Sequence, residues 1–366
     1  MLLRALPFLA LATPLGAQAP AAVPAARYPL APSPVLDTRQ LGTAPSFSGY
    51  LSVRETRRHD STSFSLNRAR LAVMAAPRPY LAVRVQAELS AAGRVARDST
   101  VPSTVLTDAY VQLGAATRAS GAAGVDSAGR GARLANALAP VLLAGQFRVP
   151  FSLEYLTSFS LLKTANRSGV VDRLSPRRDI GVMAQARVTR FATVAGAVVA
   201  GEGANATRNP DNSEMVAGRL TLRPARALAV AAKWAGQGPD HLWGYDARWL
   251  QGRATVEGEA LHRTGRRPGA TAAPAPTPRY AAGGGYLLAA YKVTPWLEPV
   301  AKWERFSEDA TVGERETAFT AGATAHAGDE RVRFQVNLVS RHTRASAAGA
   351  PRVHANELIA QLIASY

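Results

Sequence analysis

Basic side chains that could bind anions are concentrated in one stretch of the sequence. Residues 142–156, LLAGQFRVPFSLEYL, alternate like a β-strand as far as Pro150, and a long polar segment follows. An arginine guanidinium donates two parallel hydrogen bonds to the oxygens of one oxyanion, a geometry suited to phosphate. The chemistry predicted for this region is therefore reversible anion binding. Its basic residues are Arg148, Lys163, Arg167, Arg173, Arg177 and Arg178.

Patterns for catalysis are weak by comparison. The six histidines are scattered without HxH or HxxxH spacing, and neither a Gly-x-Ser-x-Gly elbow nor a Walker loop is present. The chain has no cysteine, which excludes disulfides, thiolate metal ligands and a thiol nucleophile. We therefore expect no catalytic residues, metal or cofactor, and a membrane phospholipase or protease is only a minor alternative.

The first 45 residues divide into two segments. Residues 1–19 read as a secretory signal peptide, with Arg4, an apolar core and a small-x-small site at Ala17-Gln18-Ala19. Its removal takes away one positive charge from a net +17. Residues 20–45, rich in alanine and proline, are predicted to be a disordered or loosely docked periplasmic lead-in. One continuous region, 46–366, remains.

Residues from Ser46 onward alternate with a period of two. In YLAVRVQAEL, from Tyr80 to Leu89, the apolar residues share one face, and Arg84, Gln86 and Glu88 share the other. This is the pattern of a half-buried strand. Sixteen such segments can be counted, with no stretch of eighteen apolar residues that would predict a membrane helix.

The connections between these segments largely alternate between short and long, as in an up-and-down β-barrel of the outer membrane. Residues 114–139 break the rule, since a long connection falls where a short turn is expected. They are either a flexible periplasmic insertion or a place where the strand assignment slips. The last segment, NELIAQLIASY, ends on the aromatic Tyr366. Such an ending resembles the outer-membrane assembly signal, which predicts the barrel-assembly machinery as a partner during biogenesis.

If lipid covers the apolar face, the opposite face lines a lumen in which a surplus of positive charge would concentrate anions. A salt-bridged wall without a transport role is the alternative for any one of these residues. The strand positions predicted to line the pore are Arg68, Arg70, Arg84, Arg187, Arg219, Arg248, Lys302 and Arg333.

The polar segment after the fifth strand occupies the position of the third external loop. Pro150 cannot donate to a strand ladder and ends the pairing. Porins commonly fold the loop at this position into the lumen. By that resemblance, residues 149–178 are predicted to form a constriction loop, which would bring their basic residues to or near the narrowest part of the pore. A solvated basic flap outside the barrel is the alternative.

Four motifs resemble the phosphate-selective porin O and P family: SLNRARL (65–71), LTDAYVQL (106–113), LLAGQFRVPFSLEYLTS (142–158) and SPRRDIGVMAQA (175–186). The resemblance covers the first third to half of the mature chain. It implies a sixteen-stranded, usually trimeric channel of the bacterial outer membrane for anions such as phosphate or polyphosphate. With only four lysines in this chain, arginines would replace that family's central lysine cluster.

Two other functions would also be compatible with this composition. A non-conducting or non-selective structural barrel, or an adhesin, would share the alternation and the salt-bridged wall. Nucleic-acid binding would account for the pI near 11, but the charge is spread over alternate strand positions of an exported chain. Small anions, outer-membrane lipid and two further copies of the chain are therefore the predicted partners, without nucleic acid.

Overall fold

A closed antiparallel β-barrel of sixteen strands makes up the described part of the chain, with β1 paired to β16, as the sequence predicts. The computed structural model describes residues 28–90, 105–114, 140–265, 280–308, 313–327, 330–345 and 352–366. The strands are β1 Ser46–Arg57, β2 Thr62–Arg78, β3 Leu81–Glu88, β4 Val105–Leu113, β5 Val141–Arg148, β6 Arg178–Arg187, β7 Ala192–Val199, β8 Met215–Ala225, β9 Leu228–Gln237, β10 Asp240–Gln251, β11 Ala254–Gly265, β12 Tyr280–Tyr291, β13 Leu297–Glu308, β14 Glu314–Ala327, β15 Val332–Ala345 and β16 Arg352–Ser365.

The alternation of the sequence becomes an apolar outer face and a polar inner face. On β10, Trp243 and Tyr245 are exposed on the outside, whereas Asp246 and Arg248 are buried within the barrel. An apolar outer belt of this kind fits the hydrocarbon core of a bilayer. The fold is that of an outer-membrane barrel, which confirms the predicted outer-membrane localisation. No helix in the described ranges is long and apolar enough to cross a membrane.

Closure of the barrel uses the last strand as predicted. Val53 of β1 pairs with Leu362 of β16, which leaves no unpaired edge between these two strands. Leu358, Leu362 and Tyr366 face outward and are exposed, while Ile359 and Ile363 are buried inside. Because lipid cannot satisfy backbone polar groups, this closure is required of a spanning sheet.

External connections are less regular than the sequence predicts. A long loop is expected at 56–64, but only residues 58–61 connect β1 to β2. Gly238 and Pro239 alone join β9 to β10, and Gly238 has a φ of 53°, which a tight hairpin turn requires. Alternation of loop length is therefore a tendency of this fold and not a rule. The signal peptide at 1–19 and, apart from Gly114, the insertion at 114–139 lie outside the described residues.

The constriction loop, residues 149–177, is folded into the barrel. It contains helices α1 (Leu153–Leu156) and α2 (Gly169–Leu174), with a short 3-10 helix at Phe159–Leu161 between them. Apolar side chains of the loop are buried in one cluster with inward residues of β11 to β13. Members of this cluster are Phe151, Val170, Val171, Leu174, Leu261, Leu288 and Phe306. The predicted inward folding of the third external loop is confirmed.

Residues 28–36 also lie within the barrel, and they will be called the N-terminal strap. The sequence predicts a disordered or loosely docked periplasmic lead-in, but this segment makes specific hydrogen bonds with the inner wall. The backbone N–H of Leu36 donates to the side-chain oxygen of Gln112 at 2.8 Å, and the Tyr28 hydroxyl donates to Glu257 at 2.7 Å. The strap is therefore docked at both ends.

Candidate functional site

A basic cavity of about 710 Å³ lies between the constriction loop and the external ends of the strands, and it will be called the vestibule. The barrel wall contributes Arg68 and Arg70 from β2, while the loop contributes most of the remaining positive charge. Carboxylates of Glu88, Asp172 and Asp179 are part of the same lining. The basic residues of the vestibule are Arg68, Arg70, Arg167, Arg173, Arg177, Arg178 and Arg263.

Aromatic rings contact several of these guanidinium groups, among them two that lie against rings of the constriction loop. The Arg167 guanidinium lies 4.8 Å from the ring centre of Tyr155 and 5.7 Å from that of Phe159. Arg68 lies 5.1 Å from the same Phe159 ring. Cation–π contacts fix the position of a guanidinium without neutralising its charge. The loop aromatics therefore orient Arg167 and Arg68 towards the vestibule.

Three of the predicted loop and strand arginines bind only carbonyl oxygens among the described residues. Arg167 donates to the backbone oxygens of Glu154 (3.4 Å) and Thr157 (3.3 Å), and Arg177 donates to that of Asp172 at 2.8 Å. Arg148 donates to the backbone oxygen of Leu156 at 2.7 Å. Carbonyl oxygens carry no net charge, so no direct ion pair neutralises these three guanidinium groups among the described residues.

Asp108 of β4 lies beneath the vestibule and links two arginines. Its carboxylate accepts from Arg178 at 2.7 Å and from Arg84 at 3.2 Å. Arg178 lines the vestibule, whereas Arg84 and Arg148 line a second cavity on the periplasmic side of the loop. The arginines of β2, β3, β5 and β6 thus form a continuous basic side of the wall from one cavity to the other.

Other predicted pore residues form ion pairs between the loop and the wall, or are buried deep in the wall. Lys163 pairs with Glu298 at 2.6 Å, and Arg173 pairs with Glu316 at 2.7 Å. The sequence predicts that Arg219, Arg248, Lys302 and Arg333 line the pore, but their exposure is 6%, 0%, 1% and 5%. The physical reason is that inward carboxylates and loop carbonyls cover these groups.

The partners of the four buried residues are close. Arg219 makes two hydrogen bonds to Asp246, and Arg248 donates to Glu257 at 2.6 Å. The Lys302 ammonium lies 3.8 Å from Glu154 and donates to the backbone oxygen of Asn166 at 3.0 Å. Arg333 donates to the Leu162 backbone oxygen at 2.9 Å. These groups hold the inward loop against the wall, and Arg219 also lines a small cavity of about 90 Å³.

Arg187 is separate from all of these groups. It ends β6 on the periplasmic side and is exposed. The structure therefore brings Arg68, Arg70, Arg167, Arg173, Arg177 and Arg178 together in the vestibule, places Arg84 and Arg148 below it, and leaves Arg187 at the periplasmic rim.

Wall carboxylates attach the loop by capping its helices. Glu259 accepts hydrogen bonds from the Ser152 hydroxyl (2.9 Å) and from the backbone N–H groups of Leu153 and Glu154. Glu304 accepts from the Gly169 backbone N–H at 2.8 Å. Both carboxylates therefore meet the unsatisfied N–H groups at the start of a helix. Alternation places these glutamates inward, but their partners cannot be read from the sequence.

Burial changes the ionisation of the loop residue Glu154. Its side chain is 1% exposed, and the removal of water raises the pKa of its carboxyl to about 8. Lys302, Arg167 and a hydrogen bond from the Ser168 backbone N–H act in the opposite direction. Burial also lowers the pKa of the Lys163 ammonium, although Glu298 opposes the change. Within the described ranges, no group of three metal-ligating side chains is found.

Comparison with solved structures gives barrels of the outer-membrane porin type. The anion-selective porin from Comamonas acidovorans superposes with a TM-score of 0.60 at 12% identity, over 88% of this chain and 99% of that one. The outer-membrane channel DcaP of Acinetobacter baumannii gives 0.58 at 9% identity, over 89% and 98%. OmpT of Vibrio cholerae gives 0.58 at 11%, over 88% and 97%.

No protein-family model matches the sequence, and comparison with curated proteins gives no significant match. At identities near 10%, the structural likenesses establish the fold: a closed sixteen-stranded barrel of the outer-membrane porin type.

Proposed function

We propose that this protein is a passive diffusion channel of the outer membrane that is selective for small anions, with phosphate or polyphosphate as the leading cargo. The observation that carries the proposal is the vestibule of about 710 Å³, in which Arg167 and Arg177 have no carboxylate partner among the described residues. The sequence resemblance to the phosphate-selective porin O and P family supports the choice of cargo. The anion-selective Comamonas porin, which shares the fold, supports the sign of the selectivity.

Electrostatic attraction explains why such a site would favour anions. Opposite unit charges about 4 Å apart attract by roughly 1 to 4 kcal/mol, between the limits of bulk water and a protein surface. Low-dielectric walls focus this field along the channel axis. Each site must also release its ion, and exposed arginines beside Asp172 and Asp179 fulfil that condition better than a buried, fully uncompensated cluster would.

The proposal includes an assembly and two further partners. A homotrimer is expected from the resemblance, and one solved form of OmpT with this fold is a trimer. Outer-membrane lipid would cover the apolar belt, and the barrel-assembly machinery would recognise the β16 sequence that ends in Tyr366. Transport is passive in this proposal and requires no catalytic residue, metal or cofactor.

The test is electrical recording of the purified protein in planar lipid bilayers. A salt gradient should give a reversal potential of the sign for anions, and added phosphate should reduce the chloride current by competition for the vestibule. A reversal potential of the sign for cations, or zero, would overturn the selectivity. Conductance no greater than that of an empty bilayer would leave the structural barrel or adhesin as the better reading.

A further inference from the structure

The N-terminal strap is fastened to opposite regions of the inner wall. At one end, the Tyr28 hydroxyl donates to Glu257 at 2.7 Å and accepts from Arg248 at 3.1 Å. The Tyr28 ring lies 4.3 Å from the Arg248 guanidinium and 4.7 Å from the Lys163 ammonium. Burial and the Glu257 carboxylate raise the pKa of the Tyr28 hydroxyl, so it remains a neutral donor. This end is therefore held by β10, β11 and the constriction loop.

The other end of the strap is held by β4. The Gln112 side chain is fully buried, and it donates to the Leu36 backbone oxygen at 3.0 Å while accepting from the Leu36 backbone N–H at 2.8 Å. The Tyr110 hydroxyl donates to the Pro34 backbone oxygen at 2.7 Å. One side-chain amide thus satisfies both backbone groups of one strap residue, as a strand partner would.

These two anchoring points require the strap to cross the lumen. Strands β4 and β10 are six positions apart in a closed ring of sixteen. Eight residues of extended, proline-rich backbone span about 25 Å. Pro29, Pro32 and Pro34 favour that extended form and have no N–H to satisfy inside the barrel. The strap is therefore a chord across the periplasmic side of the pore and does not run along its wall.

The strap divides the space below the constriction loop into two cavities. One, of about 360 Å³, lies between strap residues 29–36 and the wall that carries Arg84, Tyr110 and Arg148. The other, of about 90 Å³, lies between strap residues 31–34 and Gln185, Arg219 and Arg223. Residues 31–34 line both, so the segment is a partition. The larger cavity continues the basic side of the wall that begins in the vestibule.

We propose that the N-terminal strap forms a second constriction on the periplasmic side, which sets the upper size limit of the solutes that pass. This inference rests on the proposed channel function. Small oxyanions would leave the vestibule through the larger cavity, past Arg84 and Arg148, whereas solutes too large for that space would be held back. The strap, as well as the constriction loop, then determines specificity.

The inference can be tested by releasing the strap while keeping all sixteen strands. Two variants are suitable: deletion of residues 20–36, with the signal peptide retained, and Tyr28→Ala combined with Gln112→Ala. Single-channel conductance should rise roughly twofold or more, because the strap's cross-section becomes open. Uptake of larger neutral solutes into protein-containing vesicles should rise with it. Tyr80→Ala is the matched control, since Tyr80 is an exposed tyrosine on a periplasmic turn.

A covalent link provides the opposite test. The Ser33 hydroxyl donates to the Gln185 side chain at 2.7 Å, and the natural chain contains no cysteine. The double variant Ser33→Cys, Gln185→Cys can therefore be joined by a short bifunctional thiol reagent without side reactions. Linked channels should retain the wild-type conductance even after Tyr28→Ala is added, whereas unlinked channels of the same variant should conduct more.

The possible outcomes separate the two proposals. Equal conductance and equal solute size limits in wild-type and released channels would overturn the strap's role while leaving the anion channel intact. A silent wild type with a conducting released variant would support the strap as the element that closes the pore. Silence in both forms would overturn the channel proposal, and this inference with it. Folding of each variant is checked independently by the gel mobility shift of a heated against an unheated barrel.

Discussion

Arg177 and Arg167 are both without a carboxylate partner in the described structure, but they differ in how firmly they are held. Arg167 lies between the rings of Tyr155 and Phe159, so its removal would disturb the loop. Arg177 is exposed at the vestibule, and its guanidinium donates one hydrogen bond among the described residues, to the Asp172 backbone oxygen. Charge at position 177 can therefore be changed with little effect on packing.

Arg177→Glu should lower the anion-to-cation permeability ratio severalfold. The substitution changes the charge at this position from +1 to −1, a difference of two units, and each unit is worth about 1 kcal/mol or more to a passing ion. The reversal potential in a salt gradient measures this ratio. Arg226→Glu is the matched control, since Arg226 is exposed on the periplasmic turn between β8 and β9. The loop's role in selectivity is excluded if both variants give the wild-type potential.

Glu154 gives the channel an expected dependence on pH. Its pKa of about 8 means that it is neutral at pH 6 and ionised at pH 9. Since the folded protein holds this proton more tightly than the unfolded chain does, the associated stability is present at low pH and is lost as pH rises through about 8. The negative charge gained above that pH should also reduce anion selectivity.

Glu154→Gln should remove the part of the change in anion selectivity that this carboxyl causes between pH 6 and pH 9. Reversal potentials at the two pH values measure that selectivity. The variant is matched to the wild type, because every histidine and every other carboxylate is retained. An identical pH dependence in the two proteins would show that Glu154 does not titrate in this range.

At the scale of elements, the strands around the constriction loop depend on two glycines of the motifs quoted above. Gly145 of β5 and Gly181 of β6 are register partners on the two strands that flank the loop. A Cβ on Gly145 would lie 2.3 Å from the Ala109 backbone oxygen, and its φ of 127° is in the region that favours glycine. Close pairing of β4 with β5 therefore requires glycine at this position.

Gly145→Ala should destabilise the barrel by about 1 to 3 kcal/mol, because both the contact and the backbone conformation are strained. The urea midpoint of unfolding in detergent micelles measures the change. Gly196→Ala in β7 is the matched control, since a Cβ there would be 3.9 Å from its nearest neighbour. Equal midpoints for the two variants would contradict the requirement for glycine at position 145.

The strands and loops could be predicted from the sequence where they depend on residues that are close together in the chain. Alternation is local, and it gives sixteen strands and their inward faces. The effect of Pro150 on strand pairing is also local, and it predicts where the constriction loop starts. The pairing of Lys163 with Glu298 joins residues 135 positions apart, and that of Tyr28 with Glu257 joins residues 229 apart. Such pairs depend on the register of the whole barrel, so the docked strap and the neutralised lysine could not be predicted.

For the molecule as a whole, the outer belt determines where the barrel can reside. Leu287 is 57% exposed in the middle of β12, opposite Trp303 of β13, which places it near the centre of the belt. Val353 is 54% exposed beside the external end of β16. The two side chains are thus about equally exposed but differ in their expected depth in the bilayer.

Leu287→Arg should destabilise the folded barrel in lipid vesicles by about 2 to 4 kcal/mol, whereas Val353→Arg should cost only about 0 to 1 kcal/mol, because lipid-facing charge is penalised most at the midplane. Guanidinium unfolding, followed by the fluorescence of the five tryptophans, measures both values. The comparison isolates depth, since each variant adds one guanidinium to an outward apolar position. Equal costs for the two variants, or full solubility of the wild type without detergent, would contradict a lipid-covered belt and remove the physical basis for a transmembrane channel.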